Sequence, residues 1–223
     1  MSEELDNFLK NWPKPAQTIA LGDLTLETPK LAICDPVGIA LTETSDQAVF
    51  IDALFPLGDA KLTVKQWSLG DQSHIAFVII NFSDIDIRSG EVLSWQPAKK
   101  AGGPHLFADF DVDYGNVGFM SEEMHASFMS KAAEFGDEAY DEWLWPFIDG
   151  EGEDDAGPNE DDAGPNIAEI PLPSGAVFKA ATAPGGNGSY DAFIGLDADG
   201  TISCVAIDLI SPALEMLSRG CTN

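Results

Sequence analysis

The chain predicts a β-rich α+β fold: antiparallel, sandwich-like sheets, two helices inserted before an acidic loop, and short terminal helices. Three observations lead there. Short runs rich in β-branched and aromatic residues recur along most of the 223 residues, punctuated by Gly, Pro, Asn and Asp. Helical periodicity is confined to the ends and to a stretch between 121 and 147. Hydrophobic residues make up 44% of the chain and aromatics 9%, which excludes general disorder. At about 150 residues per domain, the length suits a single domain over 1–223, interrupted by an acidic, mobile loop at 149–166.

Ser2 caps a first short helix with Leu5, Phe8, Leu9 and Trp12 on one face, and Pro13 and Pro15 stop it. Strands are then expected at 18–21, 24–27, 31–34, 48–52 and 61–67. The run from His74 to Phe82 is the best candidate for a strand buried on both faces. A strand at 92–95 follows the Ser89-Gly90 turn. From Leu106 to Tyr114 apolar and acidic residues alternate, which places Phe110, Val112 and Tyr114 on one face and Asp109, Asp111 and Asp113 on the other. A helix should start near Ser121, where Glu122 and Glu123 suit the positive end of its dipole. A second helix is expected over 137–147, then strands at 176–183, 190–196 and 202–210, with Asp197-Ala-Asp-Gly200 as a hairpin turn. A short helix at 212–219 closes the chain.

Charge separates this sequence from an average one. It carries 11 basic and 38 acidic residues, a formal charge of −27. The stretch from His105 to Glu169 holds 19 acids and one base, Lys131. Within it the heptad Glu153-Asp-Asp-Ala-Gly-Pro-Asn159 is repeated at once as 160–166, and a Gly-Pro pair in each copy forbids a helix. Nucleic-acid binding is excluded as a main function, because it depends on clustered Lys and Arg. Attraction to anionic lipid is disfavoured for the same reason. The first residues lack a basic start and apolar run, and no apolar stretch approaches the ~20 residues of a membrane span. Cys34, Cys204 and Cys221 are widely spaced and read as reduced thiols. A cytoplasmic location is the expectation.

Motifs for chemistry fail on spacing. Asp109-Phe-Asp-Val-Asp-Tyr-Gly115 starts like a calcium loop, but its glycine is one place late and Met120 stands where a bidentate Glu is needed. His74, His105 and His125 have no zinc spacing. The Gly185–Gly188 segment lacks a following Lys-Ser/Thr and leads into a strand, so it is no phosphate cradle. No metal and no cofactor are expected.

Three patches in order resemble the bacterial domain-of-unknown-function family numbered forty-two forty-one. They are Cys34-Asp-Pro36, Val112-Asp-Tyr-Gly-Asn-Val-Gly-Phe-Met120, and Ser189-Tyr-Asp-Ala-Phe-Ile-Gly-Leu-Asp-Ala-Asp-Gly200 running into Cys204-Val-Ala-Ile-Asp208. The resemblance covers roughly 19–209. Members carry a tryptophan where this chain has Ile194. The resemblance implies no activity; families of this kind often occur beside secreted toxins as cytosolic immunity proteins.

The leading functional expectation is therefore a non-enzymatic immunity protein (antitoxin) that neutralises a basic toxin domain, with electrostatic steering as its physical basis. The expected partner-binding residues are Asp109, Asp111, Asp113, Glu122, Glu123, Asp137, Glu138, Asp141 and Glu142. One alternative is a hydrolase-like enzyme using carboxylates such as Asp35, Asp113 or Asp208 near Tyr190. Another is an acidic protein adapted for solubility, with no inhibitory role.

Overall fold

The computed structural model describes residues 17–42, 48–69, 72–83, 94–101, 110–148, 167–184 and 186–209, apart from the side chains of 42, 67–69, 72 and 73. The expected terminal helices, Asp109 and the 149–166 loop lie outside the described residues. Two sheets organise the rest, and every pairing among the described strands is antiparallel. The larger sheet runs β1 (Gln17–Leu26), β4 (Gly58–Leu69), β5 (Gln72–Asn81), β12 (Ile202–Asp208), β11 (Gly188–Leu196) and β6 (Ser94–Pro97), with β7 (Phe110–Val112) also paired to β11. The smaller runs β3 (Ala48–Phe50), β2 (Leu31–Cys34), β8 (Asn116–Ser121), β10 (Val177–Thr182) and β9 (Ile167–Pro171). The β-rich, antiparallel expectation holds.

One hydrophobic cluster draws on both sheets, including Leu24 and Val78 from the larger and Ile33 and Phe178 from the smaller. The central strands of the larger sheet are buried on their other face too, through Phe77, Ile79, Phe193 and Cys204. That explains why Ile75–Ile80 is uninterrupted apolar sequence: a strand with no solvent face has no place for alternating polar residues.

Several expectations are corrected. The two segments at 18–21 and 24–27 are one strand, carried through a register shift at Gly22, whose φ of 105° suits a residue without Cβ. No strand is expected between Asn116 and the helix start near Ser121, yet β8 is a fully buried strand at the centre of the smaller sheet. Gly118 lies at its middle because a Cβ there would meet the Phe178 ring at 2.3 Å and the Lys179 carbonyl at 2.6 Å. A strand chosen by close packing carries little local propensity.

Helix α1 (Pro36–Thr42) was not anticipated. Asp35 precedes it as a cap and Pro36 occupies its first position, where a missing N–H costs nothing. Helix α2 (Glu122–Phe135) starts as expected: the Ser121 hydroxyl accepts from the Met124 N–H at 3.1 Å. The expected second helix at 137–147 is broken instead into a 3₁₀ turn at Gly136–Glu138, a π-helical segment at Ala139–Leu144 and a short α3 at Trp145–Ile148. The wider turn still buries Ala139, Trp143 and Leu144, with Trp143 4.8 Å from Phe128 between ring centroids. Tyr114 was expected to point inward but is 46% exposed, because β7 ends at Val112 and the chain turns through Gly115 at φ 75°. The predicted 197–200 turn is present: the Asp197 carboxylate accepts from the N–H groups of Asp199 and Thr201.

Candidate functional site

The described acids expected to meet a partner occupy three places. Asp111 and Asp113 are exposed at the end of β7, and the Ser189 hydroxyl of β11 donates to Asp111 Oδ1 at 2.5 Å. Asp137, Glu138, Asp141 and Glu142 are all exposed on the 3₁₀ and π segments, with no ion pair among the described residues. Glu122 and Glu123 sit at the start of α2, and Glu123 lies 14 positions before Asp137, about 21 Å at the α-helical rise. That exceeds the ~8 Å screening length at physiological salt, so the two ends of α2 act as distinct charges.

Chain topology brings the first two groups toward each other. The Asp35 carboxylate accepts from Val37 and Gly38 through Oδ1, at 3.0 and 3.3 Å, and from Asp113 and Tyr114 through Oδ2, at 3.1 and 2.8 Å. One buried side chain thus holds the start of α1 against the β7–β8 turn, and α1 packs on the π segment and on α2. Burial pushes the Asp35 carboxyl above its ordinary range, opposed by the four backbone N–H groups. Both its oxygens are engaged, so it is built as a clamp. Tyr190 pairs with Phe110 of β7 across the β11–β7 ladder: its hydroxyl donates to the Gly186 carbonyl at 2.8 Å, and burial pushes its pKa up to about 12. Asp208 lies on β12, paired in register with Asp191 and Phe77, and is buried. Asp35 and Asp113 therefore meet through a backbone N–H, while Asp208 belongs to the larger sheet.

At the other end of α2, Glu122 forms an ion pair with Lys30 at 2.5 Å, which holds its carboxyl below the usual range. Both side chains are largely solvated, so the pair adds little stability. Glu123 turns elsewhere. It lines an open groove of about 290 Å³ together with Asp23 and Glu27 of the β1 region, over apolar surface from Leu24, Met124 and Val177. Sequence reading did not join Asp23 or Glu27 to Glu123. They are about a hundred positions apart and only the β1–β8 approach brings them together.

His125 is half-buried beside Phe50, with ring centroids 5.4 Å apart, and burial holds its pKa below 6.5 against the pull of Glu122. Burial likewise drives the Cys34 thiol well up and that of Cys204 to about 12. Among the described residues no group of three or more His, Cys, Asp or Glu side chains is arranged to hold a metal ion, and no helix is long and apolar enough to cross a membrane.

A family model described as "Protein of unknown function (DUF4241)" matches residues 24–207. No curated protein and no solved structure matches the chain.

Proposed function

The chain belongs to the DUF4241 family, and we propose that it is a non-enzymatic, cytosolic binding protein of the immunity type, which neutralises a basic protein partner through its acidic surface. The observation that carries this reading is the exposed, uncompensated acid set at Asp137, Glu138, Asp141 and Glu142, on a chain of net charge −27. Holding like charges on packed elements costs self-repulsion, and a bound cationic surface relieves it. Face-to-face packing of the two sheets as a sandwich belongs to this reading, since it leaves the helical segments free to present their acids. The alternative of a carboxylate enzyme gains nothing from Asp35, whose oxygens already accept four backbone N–H groups.

The test is association with the product of the adjacent reading frame. Its rate should fall steeply between low and physiological salt, because steering is screened beyond about 8–10 Å. Replacing Asp111, Glu123 and Asp141 by Lys should slow association at least tenfold with the fold intact. A basic neighbour that does not bind, or binds the triple variant at the same rate, rejects the proposal.

A further inference from the structure

The groove beside β1 differs from the rest of the acidic surface in having a shape. At about 290 Å³ it falls just under the ~300 Å³ at which sites for small-molecule ligands begin, and it is the size to take one or two long side chains. Its walls carry Asp23, Glu27 and Glu123, its floor is apolar through Leu24 and Met124, and none of its lining residues is cationic. Lys61 faces Asp23 across the β1–β4 ladder, and Lys179, which approaches Gly22, is held by Glu169 at 2.6 Å; neither lines the groove. One carboxylate oxygen, Glu123 Oε2, is shielded from solvent and has no hydrogen-bond partner among the described residues. A shielded, unpartnered acceptor is costly until a donor reaches it. A second feature lies along the same wall: β1, which contributes Asp23, Leu24 and Thr25 to the groove, is the edge of its sheet and pairs only with β4 among the described strands.

Resting on the basic-partner reading above, we infer that this groove is the docking site for an extended, arginine-bearing segment of the protein partner, with one guanidinium seated between Asp23, Glu27 and Glu123. The charge of the walls selects a cation. The apolar floor selects a long one, since the methylene stem of arginine lies along Leu24 and Met124 while its five donors reach several carboxylate oxygens at once. The edge of β1 that has no strand partner among the described residues would supply main-chain partners for an added strand. Acids on an edge strand also discourage self-association, but that role requires neither the groove nor the unpartnered oxygen of Glu123.

A seven-residue peptide alternating arginine and threonine is the probe, titrated into the full chain at low salt and followed by backbone amide NMR. Shifts should concentrate on Asp23–Glu27, Met124 and Val177. The isosteric variant Asp23→Asn, Glu27→Gln, Glu123→Gln should bind at least tenfold more weakly. A variant with the same change in net charge elsewhere on the surface, Asp52→Asn, Glu134→Gln, Asp199→Asn, should bind like the native chain. Equal loss in both variants, or shifts confined to other acids, overturns the groove and leaves the basic-partner proposal to its own association test. The shift map on the native chain decides the matter even if a variant folds poorly.

Discussion

Asp35 and Tyr114, 79 positions apart in the chain, are joined by a 2.8 Å hydrogen bond from the Tyr114 N–H to Asp35 Oδ2. That bond ties the first turn of α1 to the turn between β7 and β8, both of which lie at the same end of the antiparallel β2–β8 pair. Asp35→Asn should therefore be strongly destabilising, although it preserves shape. An amide offers one acceptor oxygen, and its NH₂ would face a pair of backbone N–H donors. Losing two hydrogen bonds and leaving buried donors unpaired costs about 2–4 kcal/mol. Chemical denaturation should show a lower midpoint with an unchanged slope; a midpoint equal to that of the native chain would refute the clamp.

Gly118→Ala tests the contact that placed β8. Its new methyl group would overlap the Phe178 ring and the Lys179 carbonyl, so β8 and β10 must separate. Overpacking of this kind costs about 1–3 kcal/mol, or roughly 3–10 °C in Tm for a chain of this size. By contrast, a methyl group at Gly22 would meet only the Lys179 Nζ, at an ordinary contact distance of 3.9 Å, but alanine there must adopt φ 105°, and its cost should come from backbone strain. Thermal melts of the two variants separate the mechanisms.

His125 should give the protein a measurable pH dependence. Burial lowers its folded pKa below the unfolded value of 6.5, so the fold holds the neutral imidazole. Its contribution is fully present above pH 6.5 and is lost as pH falls through the folded value. Replacing His125 with Gln should flatten stability against pH between about 7 and 5 relative to the native chain. Identical slopes for the two proteins would show that His125 is not the titrating group. Carboxylate protonation, which relieves repulsion, acts in the opposite sense and cancels in this comparison.

Cys34 and Cys204 should be inert while the protein is folded. Both are buried and their pKa values are raised by desolvation. With Cys221 replaced by Ser, a thiol-reactive dye at pH 8 should modify neither on the timescale of free cysteine, and should titrate both after unfolding. A rapid reaction in the native state would place one of them in an open, ionisable environment.

The sequence alone determined the strands with strong local signals. β2, β5 and β12 are runs of apolar residues too short and too β-branched for helices, and the Ser121 cap with the Asp197–Gly200 turn fixed two boundaries through side-chain hydrogen bonds within a few residues. It also determined the excess of acid on 137–142, because charge is a sum over residues and needs no fold. β8 and β9 escaped notice for opposite reasons. β8 is held by close approach to Phe178, which no local pattern encodes, and β9 abuts the acidic repeat and ends in Pro171, a residue tolerated on a sheet edge. Asp35-Pro36, a capping carboxylate before a proline, is the local signal for α1. What the tertiary structure decided is which acids share a place. Asp23, Glu27 and Glu123 meet only because β1 crosses near β8 and the start of α2, while Glu123 and Asp137, much closer in sequence, are held apart by the length of a helix. Sequence distance counts bonds along the chain; a binding site depends on distance through space, and long-range strand pairing is what sets it.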